Sequence, residues 1–335
     1  MDDLAIIIPA YNEEISIIDT IKAIIEELNF FDYMTKETYH KDDFKTTIYV
    51  YNNNSSDNTV KVVNEYIKNN KDNNIVLKNC YRQGKGYVIK QAFSEVKAKV
   101  YCMIDGDNTY SVDKLFVMYD LIYNKKADMV IGDRLSTSYF KENKRLFHNF
   151  GNKLMKNCIN KLFKTNYRDI LSGFRMFSYK FVKTFPITSN GFSIETEMNI
   201  HAANYDLKTI DVSIVYKDRK EGSYSKLNTF SDGFKVIKKL FEMLWLYKPI
   251  LFYNSLGFIF ILLGIIFISP IVIEYCNIGI VPRFPTLIVS CFSIFIGIIS
   301  IFIGQIQAGN NLRQKQLFEL KRLEKEENIN DENIY

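Results

Sequence analysis

Short apolar runs alternate with helical patterns of apolar residues over residues 1 to about 228. This alternation is typical of β-α-β units, and it predicts an α/β domain with a mainly parallel sheet. Sheets of this kind bind ligands at the carboxyl ends of their strands. The predicted strands are Leu4–Pro9, Thr47–Tyr51, Ile75–Asn79, Val100–Ile104 and Met129–Gly132.

Two long apolar runs without charges, Pro249–Ile273 and Phe284–Asn311, dominate the C-terminal part of the chain. Each is long enough for a helix of about 20 residues that crosses the hydrocarbon core of a bilayer. A buried hairpin of core helices is the alternative, but a soluble chain of this size would hardly cover two such runs. We therefore expect two transmembrane helices.

Basic residues flank the two apolar runs on their outer sides, whereas the connection Glu274–Arg283 carries one charge of each sign. This bias predicts a multi-pass membrane protein whose globular domain and both termini face the cytoplasm. The chain begins with two acidic residues and an apolar strand, so we expect no signal peptide. The flanking cations are Lys235, Lys238, Lys239 and Lys248 on one side, and Arg313, Lys315, Lys321, Arg322 and Lys325 on the other.

Two further segments are defined by their pattern. Apolar residues between Phe230 and Leu244 recur at helical spacing with lysines on the other face, which is typical of a helix in the membrane interface; an ordinary packed helix is the alternative. Phe30–Lys45 is polar and unpatterned, and we expect a surface excursion there. The predicted organisation is a globular domain over residues 1–228, an interface helix over 229–248, transmembrane helices over 249–273 and 284–308, and a cytoplasmic helix or tail over 309–335.

Composition excludes several classes of function. The 43 basic and 38 acidic residues give a net charge of +5, which is too mild and too evenly spread to indicate a nucleic-acid partner. The three histidines are far apart and lack HExxH spacing, so a histidine-based metal or triad mechanism is disfavoured. The five cysteines form no CxxC pair, which argues against a zinc site or a disulfide framework and favours a reducing compartment.

Asp105 and Asp107 follow the predicted strand Val100–Ile104 and are joined by Gly106. The glycine lets the backbone turn without a side-chain clash, so both carboxylates can face one point. Carboxylate oxygens suit Mg²⁺ or Mn²⁺, and such an ion bridges the phosphates of a substrate. The pair therefore predicts a diphosphate-containing substrate, although a solvated Asp-Gly-Asp turn is the alternative.

Two other strand ends carry candidate binding residues. The segment 82–86 opens a helical pattern, where backbone amides, glycines and two cations suit an anion; a glycine turn with solvated cations is the alternative. Its spacing differs from that of a Walker A loop. The segment 9–14 likewise leads from a strand into a helix, and its tyrosine, Tyr11, is placed to stack on a base. Its early acidic residues are also explained by compensation of the helix dipole.

Eight motifs follow one another along the chain. They are IIIPAYNEE (6–14), NNNSSDNT (52–59), RQGKG (82–86), DGDNTY (105–110), GDR (132–134), DILSGFR (169–175), GFSIETE (191–197) and KDRKEGSYSKLN (217–228). In this order they resemble a family 2 glycosyltransferase with the GT-A fold, and more closely the polyisoprenyl-phosphate glycosyltransferases related to dolichyl-phosphate mannose synthases. VPRFPT (281–286) is similar to the membrane part of those enzymes, so the resemblance covers nearly the whole chain.

The resemblance implies a site for a nucleotide-sugar donor. It implies that Asp105 and Asp107 hold Mg²⁺ or Mn²⁺ on the donor diphosphate. Asn52 stands where the family usually has an aspartate facing the base, and an amide offers donors that a carboxylate lacks, so the base stays open. Thr109 stands where some mannose synthases have a glutamine ligand, and we expect water in its place. The expected donor-binding residues are Pro9, Tyr11, Glu13, Asn52, Asp57, Gln83, Gly84, Lys85 and Asp105.

The resemblance also implies an acceptor site. Arg134 and Arg145 resemble the pair that grips a lipid phosphate, for which arginine offers a planar fork; ordinary surface cations are the alternative. A family loop that closes over the donor phosphates carries Arg219, Ser223 and Lys226, and we expect Arg219 and Lys226 to act in catalysis and Ser223 to bind the acceptor phosphate. Glu195 and Glu197 are expected to contact sugar hydroxyls or to pair with arginines, and ordinary acids at a helix N-terminus are the alternative. Asp169 is expected to position the sugar or the acceptor.

Together these features predict an inverting enzyme that transfers a hexose from a nucleotide sugar, UDP-glucose-like or GDP-mannose-like, to undecaprenyl or dolichyl phosphate at the membrane. A phosphate monoester with a second pKa of about 6 is mostly dianionic at neutral pH, so it needs no general base. A processive polysaccharide synthase is the alternative, but two spans and the lack of QxxRW speak against it. A non-catalytic scaffold is disfavoured by Asp105 and Asp107. Two spans with few neighbours also favour a homo-oligomer.

Overall fold

The computed structural model describes residues 1–40, 43–71, 74–136, 146–187, 194–217 and 241–332, with side chains outside this description at 146–152 and 325–332. The chain divides into two compact units. The first comprises Met1–Thr229 with Lys321–Tyr335, and the second comprises Phe230–Leu320.

A seven-stranded sheet forms the centre of the first unit. Four of its strand pairs are parallel, and only β6 runs antiparallel to its neighbours β4 and β5. The predicted mainly parallel sheet is therefore confirmed. The strands are β1 (Asp2–Ala10), β2 (Thr46–Asn52), β3 (Ile75–Asn79), β4 (Ala98–Met103), β5 (Met129–Asp133), β6 (Arg175–Ser178) and β7 (Thr209–Ser213), in the spatial order β3-β2-β1-β4-β6-β5-β7.

Helices pack on this sheet and bury it on both faces. Eight of the nine residues of β1 are buried, as expected for a central parallel strand whose faces are both covered. The helices of this unit are α1 (Ile17–Tyr39), α2 (Thr59–Asn69), α3 (Lys85–Glu95), α4 (Leu115–Tyr123), α5 (Leu146–Phe163), α6 (Tyr179–Thr184) and α7 (Ile194–Asn204).

The expected surface excursion at Phe30–Lys45 is wrong in form, because the segment is helical up to Tyr39, although most of its described residues are exposed. Helix α1 continues to Tyr39, and Phe31 is fully buried. Its ring lies 5.1 Å from the rings of both Phe44 and Tyr119, centroid to centroid. These aromatic contacts pack Phe31 against the core, and such tertiary packing stabilises the extended helix.

The chain order of the strands reverses beside β1. From β1 the chain moves outward to β2 and β3, and then returns to β4 on the other side of β1. Such a reversal opens a crevice at the carboxyl ends of the two central strands, where open α/β sheets bind their ligands. Asp105 and Asp107 follow β4 at this place.

The second unit contains two long apolar helices, α8 (Pro249–Ile278) and the first part of α9 (Phe284–Glu332). Both are long and apolar enough to cross a membrane. Both also extend past the predicted spans, and α9 continues without a break into the predicted tail. Of the predicted interface helix, residues 241–247 are helical and most of the remainder lies outside the described residues.

Small residues bring α8 and α9 close together. A Cβ added to Gly257 would lie 2.6 Å from the carbonyl oxygen of Gly297, and the reverse distance is 2.7 Å. The hydroxyl of Ser300 donates a hydrogen bond of 3.0 Å to the carbonyl of Tyr253, and that of Ser293 one of 2.8 Å to the carbonyl of Phe260. This pattern is typical of helix pairs in membranes, where small residues permit close backbone contact.

Candidate active site

The loops that follow β1 and β2 are fastened to each other by short polar side chains. Asn12 adopts a left-handed conformation with φ of 53°; its side-chain oxygen accepts the backbone N–H of Ser56 at 2.8 Å. Asp57 accepts the backbone N–H groups of Glu14 and Thr59. Burial alone would raise the pKa of Asp57, but a hydrogen bond from the hydroxyl of Thr59 and the two backbone hydrogen bonds outweigh burial and lower the pKa. Asp57, expected in donor binding, therefore fixes the shape of the crevice.

The expected base-facing residue, Asn52, is buried at the end of β2. Its amide nitrogen donates to the side-chain oxygen of Asn79 at 2.9 Å, and its oxygen accepts the backbone N–H of Ser55 at 3.0 Å. Its neighbour Asn53 accepts the N–H of Gly84 at 2.7 Å and donates to the carbonyl of Arg82 at 2.7 Å. Asn53 therefore holds the loop of residues 82–86, which we call the glycine loop.

Gly84 connects this loop to α3 with φ of 137°, a conformation that side chains rarely permit. The next residue, Lys85, starts α3 and is buried. Its ammonium group lies 2.5 Å from a carboxylate oxygen of Asp105 and 2.6 Å from one of Glu195. Burial lowers the pKa of Lys85, but the two carboxylates outweigh burial and raise it well above its usual value. The structure thus joins three predicted residues from three different elements.

The backbone of the Asp-Gly-Asp turn is held by the start of α1. The hydroxyls of Ser16 and Thr20 donate to the carbonyl of Gly106 at 3.0 and 3.1 Å. Asp107 is buried and accepts the hydroxyl of Thr109 at 2.7 Å. Thr109, where we expect water as a ligand in place of a side chain, thus contacts the second carboxylate of the turn.

Asp105 and Asp107 carry the carboxylate oxygens that a divalent ion shared with a substrate would need. Within the described ranges, no group of three or more histidine, cysteine, aspartate or glutamate side chains is placed to hold a metal. Two carboxylates without further protein ligands suit Mg²⁺ or Mn²⁺, because these ions take their remaining ligands from phosphates and water. The side chain of Asp105 is 30% exposed, so it is accessible from the crevice.

Gly173 lies directly against Asp105. A Cβ added to Gly173 would lie 2.1 Å from a carboxylate oxygen of Asp105, so only glycine fits there without displacing the carboxylate. The backbone N–H of Gly173 donates to the hydroxyl of Tyr110 at 2.8 Å. Tyr110 is fully buried, and burial raises its pKa well above the usual value. The phenol therefore remains protonated and acts as a fixed neutral contact.

Arg134 and Asp169, expected to bind the acceptor phosphate and to position the sugar, form an ion pair. The Nε of Arg134 lies 2.7 Å from a carboxylate oxygen of Asp169, and its Nη2 donates to the carbonyl of Leu171 at 3.0 Å. Its guanidinium also lies over the ring of Tyr216, 5.7 Å from the centroid. Asp169 is 2% exposed. This pairing orients the guanidinium before any ligand binds.

The remaining predicted residues differ in their placement. Pro9 and Tyr11 are partly buried where β1 ends, and Gln83 is exposed in the glycine loop. A carboxylate oxygen of Glu13 lies 3.0 Å from the hydroxyl of Ser16, and Glu197 is buried in α7. Arg145, Arg219, Ser223 and Lys226 lie outside the described residues.

Several residues of the site were not predicted. Asn53, Tyr110 and Gly173 all lie inside quoted motifs, yet their partners come from distant parts of the chain. The sequence offered one usable signal, the glycine in DILSGFR, since a glycine close to a strand often marks a close backbone approach.

The family described as glycosyl transferase family 2 matches residues 5–185, which is more than half of the chain. The chain is a family 2 glycosyltransferase. The predicted family, the GT-A fold and the enzyme class are thereby confirmed.

Among its relatives is the glycosyltransferase AglJ of Haloferax volcanii, which is 28% identical over 258 residues and 77% of both chains. The dolichyl-phosphate beta-glucosyltransferase of Dictyostelium discoideum is 24% identical over 261 residues, covering 73% of this chain and 74% of that protein. The solved structure of glucosyl-3-phosphoglycerate synthase from Mycobacterium tuberculosis, in complex with phosphoglyceric acid, has a TM-score of 0.50 at 16% identity. It covers 72% of this chain and 79% of its own and shares the fold.

Proposed function

We propose that this glycosyltransferase moves one hexose, with inversion, from a nucleotide sugar to a polyprenyl phosphate at the cytoplasmic face of a membrane. The observation that carries the proposal is the presence, in one chain, of a carboxylate pair at the sheet's crevice and two candidate membrane spans. Relatives named as dolichyl-phosphate glucosyltransferases support a lipid phosphate as acceptor.

On the donor side, the nucleotide occupies the crevice between the loops after β1, β2 and β4. Asp105 and Asp107 hold a divalent ion, Mg²⁺ or Mn²⁺, which when bound compensates the negative charge of the departing diphosphate. Tyr11 stacks on the base and Asn52 faces it. Lys85 adds a positive charge beside Asp105, and Arg219 and Lys226 help to compensate the charge of the leaving diphosphate.

On the acceptor side, Arg134 and Arg145 bind the lipid phosphate, and Ser223 assists them. Asp169 supports this assignment because it orients the guanidinium of Arg134. The phosphate is mostly dianionic at neutral pH, so its oxygen attacks the anomeric carbon without a general base. Consistent with this step, Glu195 is paired with Lys85. The protein's main contributions are alignment and charge compensation.

Membrane anchoring follows from the acceptor's chemistry. A polyprenyl tail stays in the bilayer, so an enzyme held at the headgroup plane meets its phosphate at a high effective concentration. Helices α8 and α9 provide such an anchor, since most of their large apolar side chains are exposed on the protein surface.

The test is transfer by the purified full chain in detergent. The chain is incubated with undecaprenyl phosphate or dolichyl phosphate, Mn²⁺ and radiolabelled UDP-glucose or GDP-mannose, with further nucleotide hexoses in parallel. We expect a chloroform-soluble product with one hexose per lipid and an inverted anomeric centre. A long polymer would instead indicate a processive synthase, and absence of labelled lipid with every donor would refute the proposal.

A further inference from the structure

Arg175, the first residue of β6, is a fully buried cation. Its Nε donates to the carbonyl of Ser172 at 2.9 Å, its Nη2 to the carbonyl of Ile170 at 3.0 Å, and its Nη1 to the side-chain oxygen of Asn199 at 3.1 Å. These partners are neutral, and no ion pair of Arg175 occurs in the part of the chain that the structure describes. The guanidinium of Arg175 therefore holds the backbone just before β6.

Burial of a guanidinium opposes folding, because its hydration is lost without the attraction of a paired carboxylate. Burial accordingly lowers the pKa of Arg175, and the more distant Glu195 and Asp169 raise it in part. An apolar side chain of similar volume would fill the same space without this penalty. What the guanidinium adds is a fixed conformation of residues 170–172.

Asn199 of α7 completes the same network. Its amide nitrogen donates to the carbonyls of Ile170 and Glu195, both at 2.8 Å. It therefore ties the loop held by Arg175 to the first turn of α7, where Glu195 contacts Lys85. Asn199 is fully buried.

The same loop contacts two residues of the candidate active site, Asp105 and Arg134. Gly173 leaves no room for a Cβ beside Asp105, so a small shift of its backbone changes the space for that carboxylate. Asp169 and Leu171 hold Arg134 by an ion pair and a backbone carbonyl. The loop thus contacts both the expected metal carboxylate and the expected acceptor arginine.

We infer that Arg175 and Asn199 are positioning residues for glycosyl transfer. They hold residues 169–173 so that Asp105 keeps its orientation for the metal and donor, and Arg134 keeps its orientation for the acceptor phosphate. The inference rests on the proposed function, because that proposal assigns the roles of Asp105 and Arg134.

The experiment compares Arg175→Lys and Arg175→Met with Met176→Ala in the full chain in detergent. Met176 is the adjacent residue of β6, is equally buried and belongs to the hydrophobic core on the other face of the strand, so it controls for loss of core stability. Binding of Mn²⁺ in the presence of UDP or GDP is measured by the electron paramagnetic resonance of free Mn²⁺. Donor and acceptor KM and kcat are measured well below the Tm of each variant.

We expect both Arg175 variants to bind Mn²⁺ with nucleotide about 10–100-fold more weakly, the range for loss of a group that supports metal ligands. Their acceptor KM should also rise. Met176→Ala should lower the Tm by an amount similar to that in the Arg175 variants, and it should leave Mn²⁺ binding and the acceptor KM unchanged. Unchanged Mn²⁺ binding and acceptor KM in the Arg175 variants would overturn the inference and leave Arg175 a stabilising core residue only.

Gly173→Ala tests the contact between this loop and Asp105 directly. It keeps Arg175 and Asn199 but places a methyl group against Asp105, so Mn²⁺ binding should weaken with little change in Tm. If the Arg175 variants do not fold, Asn199→Ala and Gly173→Ala decide the question by the same readouts. A wild-type chain that neither binds Mn²⁺ with nucleotide nor transfers sugar would refute the proposed function itself, whereas an active wild type with unaffected variants refutes only the positioning role.

Discussion

The globular unit and the helical hairpin arrange large and small residues in opposite ways. In the sheet, large apolar side chains such as Ile6 and Ile8 are fully buried, and small polar groups gather at the strand ends. In the hairpin, Gly257 and Gly264 are among the few buried residues of α8, while Phe258 is 64% exposed and Ile266 53% exposed. Glycine makes room for a carboxylate in the first unit and for a neighbouring helix in the second.

This contrast reflects the solvent that each unit requires. In water, removing large apolar side chains from the solvent is favourable, so their burial on the sheet stabilises the globular unit. Hydrocarbon offers no such drive between helices, and close backbone packing with interhelical hydrogen bonds takes its place. The exposure of α8 and α9 therefore supports the proposed membrane location, and substitutions in the two units should differ in their effects.

The largest expected effect is on catalysis. Asp107→Asn removes one carboxylate from the proposed metal site, and turnover should fall by about 10³-fold or more because the leaving diphosphate loses its charge compensation. The measurement is the rate of transfer to polyprenyl phosphate, with a thermal melt to verify folding. Asp113→Asn, an exposed acid, is the control and should retain activity. Full activity in Asp107→Asn would remove the metal from the mechanism.

The comparison of the two units predicts different losses of stability when a large apolar side chain is shortened to alanine in each. Ile131 is fully buried in β5, whereas Phe267 of α8 is 51% exposed. Ile131→Ala should lower the free energy of unfolding by about 2–5 kcal/mol, and Phe267→Ala should change it by less than about 0.5 kcal/mol. Urea unfolding in detergent, followed by circular dichroism, measures both. A large loss in Phe267→Ala would show that this face of the hairpin is buried by protein.

The globular unit should also carry an acid-sensitive element. Burial lowers the pKa of His201 to about 3, and its ring packs against Phe181 and Phe185. The unfolded chain binds a proton near pH 6.5 and the folded chain does not, so stability is lost as the pH falls from 6.5 toward 3. At pH 5 the loss is about 2 kcal/mol.

His201→Phe removes this titration, so its unfolding free energy should depend less on pH between 7 and 5 than that of the wild type. The measurement is urea unfolding at the two pH values. His40→Phe is the control, since this exposed histidine lies at the end of α1. Equal pH dependence in wild type and His201→Phe would contradict the prediction.

The smallest expected effect concerns the helix contact. Gly297→Val adds a side chain where a Cβ already lies 2.7 Å from the carbonyl of Gly257, and the overpacking should destabilise the hairpin by about 1–2 kcal/mol. Gly309→Ala is the control because nothing lies within 4 Å of an added Cβ there. Both are compared by resistance to thermal unfolding in detergent. An unaffected Gly297→Val would show that α8 and α9 separate at little cost.

Much of the fold was predictable because its signals are local. The apolar runs of β1 to β5 and of the two long helices are continuous in the sequence, and a buried parallel strand or an apolar helix follows from composition over a short window. Asp105 and Asp107 were placed correctly at a strand end for the same reason. Strand β6, with only four residues, is too short to show a pattern, and its place between β4 and β5 depends on distant pairing.

Neighbouring residues and ordered motifs are enough to predict the alternation of strands and helices, the two apolar helices and the family. Contacts between distant side chains depend on the folded sheet. Lys85 and Glu195 are 110 residues apart in the chain, and Arg175 fixes a loop whose other side touches Asp105. The physical reason is that hydrogen bonds and ion pairs depend on distances within about 3–4 Å, which the folded sheet sets and local patterns do not encode.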